Sequence, residues 1–255
     1  MRIDKFLFEK GFAESRMKAQ AMIIGGNCRV NGKTVTKPSF DVNEDDNVEI
    51  VGETLKYVSR GGLKLEAALE YFNINANDRV CADIGASTGG FTDCLLMSGA
   101  SKVFAVDCGQ SQLHPKLLSD ARVVNIEKFN AKELTRDTLG ILVDIVVMDV
   151  SFISQTSLHR AVSSVLKDGG VYISLIKPQF ESGRSKIGKG GIVKDASVYK
   201  DVKEKVVSSA KANGLSLVGI IDSPIKGGDG NTEFIGCFIK DNKGIDNEIC
   251  CNFPQ

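Results

Sequence analysis

The sequence predicts an α/β protein: a doubly wound, mostly parallel sheet with a small α+β module ahead of it. Three observations carry this reading. Beyond residue 62, apolar segments at 80–84, 102–107, 123–126, 145–150, 171–176, 217–221 and 234–239 alternate with helical ones, the rhythm of βα units. A glycine-rich turn follows the first of these segments, where such sheets bind their ligands. Ahead of them, about fifty residues read as two helices and a hairpin, too few to bury a large core alone.

The elements follow in order. Ile3, Phe6 and Leu7 recur at helical spacing. Ser15 is placed to cap a second helix, on which Ala19, Met22 and Ile23 share a face and which Gly25 and Gly26 are placed to end. Residues 28–30 and 34–35 flank Asn31-Gly32, the strongest short hairpin signal, and 48–51 reads as a further strand. The polar, glycine-containing segment 52–62 marks a boundary. Leu65, Ala68, Leu69 and Phe72 then share one face of a helix, and another helix is expected to begin at Cys94, Leu95 and Leu96. A glycine-rich turn joins the last two strands and predicts an antiparallel hairpin closing the sheet. The expected division is a module at 1–56, a linker at 57–62, a main domain at 63–240 and a polar, poorly packed tail at 241–255.

Composition narrows the function. Thirty-two basic residues balance thirty-two acidic ones, so only the distribution of charge is informative. From Met1 to Lys37, Arg2, Lys5, Lys10, Arg16, Lys18, Arg29, Lys33 and Lys37 face only Asp4, Glu9 and Glu14. The seven cysteines form no C-x-x-C pair or Cys/His cluster, which predicts reduced, buried thiols in a cytoplasmic protein and no metal. No apolar run approaches the ~18 residues of a spanning helix, and charges at Arg2, Asp4, Lys5, Glu9 and Lys10 break any secretory leader. His114 and His159 lack a partnered nucleophile and read as surface residues.

The turn after the first sheet strand reads Asp83-Ile84-Gly85-Ala86-Ser87-Thr88-Gly89-Gly90-Phe91. Its glycines let the backbone turn sharply and approach a ligand closely. Asp107, at the end of the next strand, suits a carboxylate accepting hydrogen bonds from a ribose diol. The dinucleotide spacing G-x-G-x-x-G is absent, so nothing here cradles a pyrophosphate. Asp83 is instead placed to meet a positive group, which favours S-adenosylmethionine, with its ammonium and sulfonium, over a nicotinamide dinucleotide on this Rossmann-like sheet. The plain alternative is an ordinary tight βα connection.

Four charged residues stand at strand or helix ends on the same sheet edge. Asp149 closes the run Ile145-Val146-Val147-Met148, Lys177 follows 172–176 and is held by Pro178, Glu233 starts the last strand, and Lys64 opens the helix before the first. Methylating a ribose hydroxyl needs a base, and a lysine must be neutral to serve. A nearby sulfonium and a second lysine favour the neutral amine; Asp149 opposes it, and the sequence leaves that balance open. Lys177 is assigned as base, Asp149 as its orienting partner, and Lys64 with Glu233 as the pair positioning the ribose. Taken singly, each is more often a surface ion-pair residue. The run 183–191, glycine mixed with three cations, reads equally as an RNA-gripping loop or a solvated one.

These segments resemble the TlyA family of rRNA ribose methyltransferases, whose catalytic domain is similar to the FtsJ group. The likeness runs from Arg2 to about Lys240 through Glu14-Ser15-Arg16, Val58-Ser59-Arg60-Gly61-Gly62-Leu63-Lys64-Leu65, Asp83 to Thr92, Asp149-Val150-Ser151-Phe152-Ile153-Ser154, Lys177-Pro178-Gln179-Phe180-Glu181 and Gly230-Asn231-Thr232-Glu233-Phe234. It implies that the family's Lys-Asp-Lys-Glu tetrad falls on Lys64, Asp149, Lys177 and Glu233, and that Asn130 lies near the cofactor's adenine. The first residues resemble the α-L RNA-binding motif of a small-subunit ribosomal protein, which assigns Arg2, Lys5, Ser15, Arg16, Lys18, Arg29 and Lys33, with Arg60 of the linker, to RNA. The implied target is a cytidine 2′-hydroxyl of ribosomal RNA or ribosomal subunits. Two other readings are a haemolysin, named after the family's second label, and a non-catalytic rRNA-binding assembly factor. The first needs a spanning or strongly amphipathic segment and the second a broken tetrad, and the sequence carries neither.

Overall fold

The computed structural model describes residues 1–241 apart from 14, 25, 44, 51–55, 184–185, 194 and 228–229. Expectations for Glu14, Gly25, Val51, residues 52–55 of the boundary segment, Arg184 and Ser185 of the basic run, Gly228, Asp229 and the tail from 242 therefore lie outside the described residues. The chain divides into two compact units, Met1–Lys56 and Tyr57–Gln255.

In the first unit, helices α1 (Ile3–Glu9) and α2 (Arg16–Ile24) pack on a three-stranded antiparallel sheet of β1 (Cys28–Val30), β2 (Lys33–Thr34) and β3 (Val48–Ile50), in the order β2-β1-β3. Ser15 caps α2, its Oγ accepting from the Lys18 amide at 3.2 Å. Asn31 and Gly32 both take positive φ, 50° and 77°, the geometry a two-residue hairpin turn demands. Strand β2 ends at Thr34, and Val35 turns into the core with Ile3, Leu7, Ala19, Ile23, Cys28 and Val30. Phe6 and Met22 are only partly buried.

The second unit opens with α3 (Gly61–Tyr71), so Gly61 and Gly62, expected in the linker, are already helical. Leu65, Ala68, Leu69 and Phe72 form its buried face. There follow β4 (Val80–Ile84), α4 (Gly90–Met97), β5 (Lys102–Val106), α5 (Pro115–Leu118), β6 (Val123–Ile126), α6 (Arg136–Leu139), β7 (Val143–Met148), α7 (His159–Val165), β8 (Leu166–Ile176), α8 (Pro178–Glu181), α9 (Ala196–Ala212), β9 (Leu215–Asp222) and β10 (Phe234–Lys240). The seven-stranded sheet has the order β6-β5-β4-β7-β8-β10-β9, parallel throughout except that β10 runs against both β8 and β9.

Side-chain alternation assigns each strand's residues to two cores. Ala82, Ile84, Val146, Met148, Tyr172, Phe234 and Phe238 face one, and Cys81, Ile145, Val147, Ile173, Leu175, Ile235 and Cys237 the other. Helix α9 covers the first face with Val198, Val202, Val206 and Ala210, spaced one turn apart, each valine contributing roughly 1.5–3 kcal/mol of burial. Strand order reverses between β4 and β7, which opens a crevice at their carboxyl ends. The antiparallel β10 adds a second route to that edge: its first residue, Phe234, pairs with Ile176, the last of β8.

Candidate active site

Helix α4 begins four residues earlier than Cys94 suggests, because Gly89 takes φ 93° and turns the chain directly into it. A side chain at Gly89 would strike Leu117 at 2.2 Å, and one at Gly85, φ 82°, would meet the Asp149 carbonyl oxygen at 2.6 Å. Glycine is therefore needed at both positions, the second for the loops after β4 and β7 to close on each other. Ser87 also takes positive φ, at 49°; Ser87 and Thr88 are exposed, while Ala86, Gly90 and Phe91 are buried.

Two neighbouring cavities open along this edge. One, of about 300 Å³, is lined by Arg60, Lys64, Asp83, Asp149, Ser151 and Lys177 over the backbone of Gly85 to Phe91. The other, of about 410 Å³ and more apolar, is lined by Asp107, Gln112, Phe129, Asn130, Val150 and Phe152 among others. Gly85, Ser87, Asp149 and Ser151 border both.

Asp83 is fully buried at the floor of the first cavity. Its Oδ2 accepts from Thr92 Oγ1 at 2.7 Å, while its Oδ1 has no hydrogen-bond partner. Burial pushes its carboxyl up to about 7 against the Thr92 hydrogen bond, with the Asp149 charge adding to the rise. A buried carboxylate oxygen left without a donor fits a cationic ligand group. Asp107 accepts from the amides of Gly109 at 2.6 Å and Ser87 at 2.8 Å, so it braces the glycine turn as well as lining the second cavity. Asn130, exposed, caps a short 3-10 turn by accepting from the Lys132 amide.

The four charged residues meet as two ion pairs. Lys64 Nζ lies 2.5 Å from Glu233 Oε2, both buried, across 169 residues of sequence. Lys177 Nζ lies 2.5 Å from Asp149 Oδ1 and donates to Ser151 Oγ at 2.9 Å. Lys64, Asp149 and Lys177 line the first cavity, whereas Glu233 sits behind Lys64 and does not. Ser151 and Thr92 escape sequence reasoning because neither is charged; standing two residues after Asp149 and nine after Asp83 within the quoted motifs is their one signal. Among the described residues no group of three or more His, Cys, Asp or Glu is arranged to hold a metal ion.

In the first unit, Asp4 is fully buried and accepts from Arg2 at 3.1 Å, Arg16 at 3.0 Å and Gln20 at 2.8 Å. Those donors outweigh its burial and hold its carboxyl below the usual range. Both arginines stay half exposed. Lys5 reaches Glu9 at 3.5 Å, and Lys18, Arg29 and Lys33 are exposed. In the basic run of the second unit, Lys186 is engaged by Asp201 at 2.7 Å.

Two expectations are corrected. His159 is fully buried, not a surface residue: its Nδ1 pairs with Ser209 Oγ at 2.9 Å and burial lowers its pKa to about 4. Cys28, Cys81, Cys94 and Cys237 are reduced and buried, but Cys108, beside Asp107, is exposed; Cys250 and Cys251 lie outside the described residues.

Comparison with known proteins agrees with this geometry. A model of the FtsJ-like methyltransferase family matches residues 57–240, and one of the S4 domain matches 1–48. Hemolysin A of Brachyspira hyodysenteriae is 43% identical over 94% of this chain and 100% of its own. The 16S/23S rRNA (cytidine-2′-O)-methyltransferase TlyA of Mycobacterium tuberculosis is 40% identical over 91% of this chain and 87% of its own. A solved structure described as a hemolysin from Streptococcus thermophilus is 41% identical and superposes with a TM-score of 0.76, covering 95% of this chain and 89% of that one. A Listeria monocytogenes S-adenosylmethionine-dependent methyltransferase, 14% identical with a TM-score of 0.54 over 72% of this chain and all of that one, shares the fold alone. With its main domain matched from end to end and these relatives aligned along nearly its whole length, the chain belongs to the FtsJ-like methyltransferase family, in the S4-bearing branch that includes TlyA.

Proposed function

We propose that this chain transfers a methyl group from S-adenosylmethionine to the 2′-hydroxyl of a cytidine in ribosomal RNA, in the cytoplasm. The observation that carries the reading is the Lys177–Asp149 pair at the rim of a cavity floored by a buried carboxylate with one oxygen unpartnered. The names of the relatives support the substrate, and the S4 match supports an RNA partner held by the first unit.

S-adenosylmethionine, when bound, supplies a methyl group on a sulfonium open to attack. Asp83 would take the ammonium group, the turn from Gly85 to Phe91 would follow the cofactor with its backbone, and Asp107 and Asn130 would hold the adenosine end. Lys177 Nζ, in its neutral form, would take the hydroxyl proton as the ribose oxygen forms its bond to the methyl carbon and the carbon–sulfur bond breaks, the cofactor leaving as the neutral thioether, with Asp149 and Ser151 fixing the amine. Lys64, held by Glu233, would place the ribose. Half-exposed Arg2 and Arg16, with Lys5, Ser15, Lys18, Arg29, Lys33 and Arg60, would meet RNA phosphates.

Transfer of labelled methyl to purified ribosomal subunits, mapped to the nucleotide, tests this directly. Ribose methylation is expected, reduced by ~10²-fold or more in Lys177→Ala. Cofactor binding without incorporation into either subunit or free rRNA would turn the reading towards a non-catalytic RNA-binding role. Lysis of red cells by the same preparation, unaltered in Lys177→Ala, would favour the hemolysin name.

A further inference from the structure

Two family motifs, Asp149 to Ser154 and Lys177 to Glu181, begin with the paired charges of the site and end in residues that the mechanism leaves unused. Those ends meet. Glu181, buried at 6% exposure, accepts from Ser154 Oγ at 2.5 Å and from the Gln155 amide at 2.8 Å. Lys205 closes the group, 3.4 Å from Glu181 Oε2 and donating to the Glu181 carbonyl at 2.8 Å. Each segment is also tied to the sheet. The Asp149 amide donates to Ile84, Gln155 Nε2 donates to Leu175, and Gln155 Oε1 accepts from Tyr172 and Ser174. The short helix α8 carries Lys177 at its N-cap and Glu181 at its last residue.

Between its two anchors the Asp149 segment is strained. Phe152 holds φ 65° with its side chain 91% exposed, touching Phe180 with ring centroids 5.2 Å apart. A bulky residue in that conformation costs about 1–3 kcal/mol and persists only where its surroundings over-determine it. Glu181 supplies that constraint at the far end, on the same helix that presents Lys177 at the near end. A buried carboxylate taking both a side-chain and a main-chain donor from one loop fixes the loop's position, not merely its attachment.

We infer that Glu181 and Ser154 form a clasp that sets the register of the Asp149 segment against Lys177, making Glu181 a positioning residue for methyl transfer. It touches neither reacting atom. The clasp keeps Asp149 Oδ1 and Ser151 Oγ on the Lys177 amine, so loosening it misaligns the base while leaving the cofactor turn and the RNA-binding unit as they are. This rests on the methyl-transfer function proposed above.

The test compares Ser154→Ala, Ser154→Thr and Glu181→Gln with the unaltered chain. Ser154→Ala removes one hydroxyl and keeps the fold within reach even if Glu181→Gln does not. Ser154→Ala and Glu181→Gln are expected to lower kcat by roughly tenfold or more, with KM for RNA and the calorimetric affinity for S-adenosylmethionine unchanged; Ser154→Thr restores kcat. A second readout needs no turnover: acetylation of Lys177 by acetic anhydride, followed by peptide mass, should quicken in the first two variants and return to the unaltered rate in Ser154→Thr. Unchanged kcat with unchanged Lys177 labelling would overturn the clasp, as would a kcat loss not rescued by threonine. Absence of methyl transfer from the unaltered chain would instead sink the proposed function, and the labelling rates would still decide the clasp.

Discussion

Asp4 and Asp83 are both fully buried carboxylates, one in each unit, and they differ in what surrounds them. Asp4 takes donors from two arginines and a glutamine; Asp83 takes one threonine hydroxyl and leaves an oxygen unpartnered. The first carboxyl is held below its ordinary range and the second is pushed up to about 7. The protein compensates the buried charge that organises its own structure, and leaves one oxygen unpartnered on the carboxylate proposed to meet the cofactor. Satisfaction, rather than burial, separates the two roles.

Conservative substitutions break the comparison most sharply. Asp83→Asn is expected to weaken S-adenosylmethionine binding by ~10²-fold or more, since it removes the charge facing the ammonium group. Asp4→Asn should leave that affinity unchanged and weaken RNA binding, because Arg2 and Arg16 lose the group that aims them. Calorimetry for the cofactor and filter binding for RNA would separate them, and equal loss of cofactor by both variants would refute the distinction.

Stability against pH sharpens it, with opposite signs. A carboxyl raised in the folded state costs stability at high pH: the fold is steadiest below the unfolded value of 3.8, and the benefit is lost as pH rises through about 7. Asp83→Asn should therefore raise the melting temperature of the cofactor-free protein at pH 8. A carboxyl lowered in the folded state does the reverse: its contribution is present above 3.8 and lost as pH falls further. Asp4→Asn should lower the melting temperature at pH 8, and thermal scans at pH 5 and pH 8 check the Asp83 sign while scans at pH 3 and pH 5 check that of Asp4.

The smallest effect is on affinity near neutrality. Because the cofactor's ammonium group favours ionised Asp83, S-adenosylmethionine affinity should fall by up to about tenfold per unit as pH drops below about 7. The slope should vanish in Asp83→Asn.

Most of the fold is legible in the sequence because central strands buried on both faces read as apolar runs, of which 145–148 is the clearest. The hairpin at Asn31-Gly32 and the turn at Gly85 are legible because positive φ restricts residue type. Helix starts are less so: α4 begins at Gly90 and α3 at Gly61, where tertiary packing overrides glycine's weak propensity. The acids and bases stand out by charge at strand ends, and Lys177 meets Asp149 and Lys64 meets Glu233 as assigned, but the distances between them depend on the inserted antiparallel strand and are invisible to spacing. His159 is misread as exposed because its partner, Ser209, lies fifty residues away.

That inserted strand has a consequence for how the protein comes into being. Lys64 finds Glu233 only after β10 has slotted between β8 and β9, so a chain emerging from the ribosome carries its whole glycine turn, Asp149 and Lys177 before it can complete the constellation. On the proposed function, activity is thereby tied to the finished product of translation: prematurely terminated chains that stop before Glu233 would lack the partner that keeps Lys64 in place.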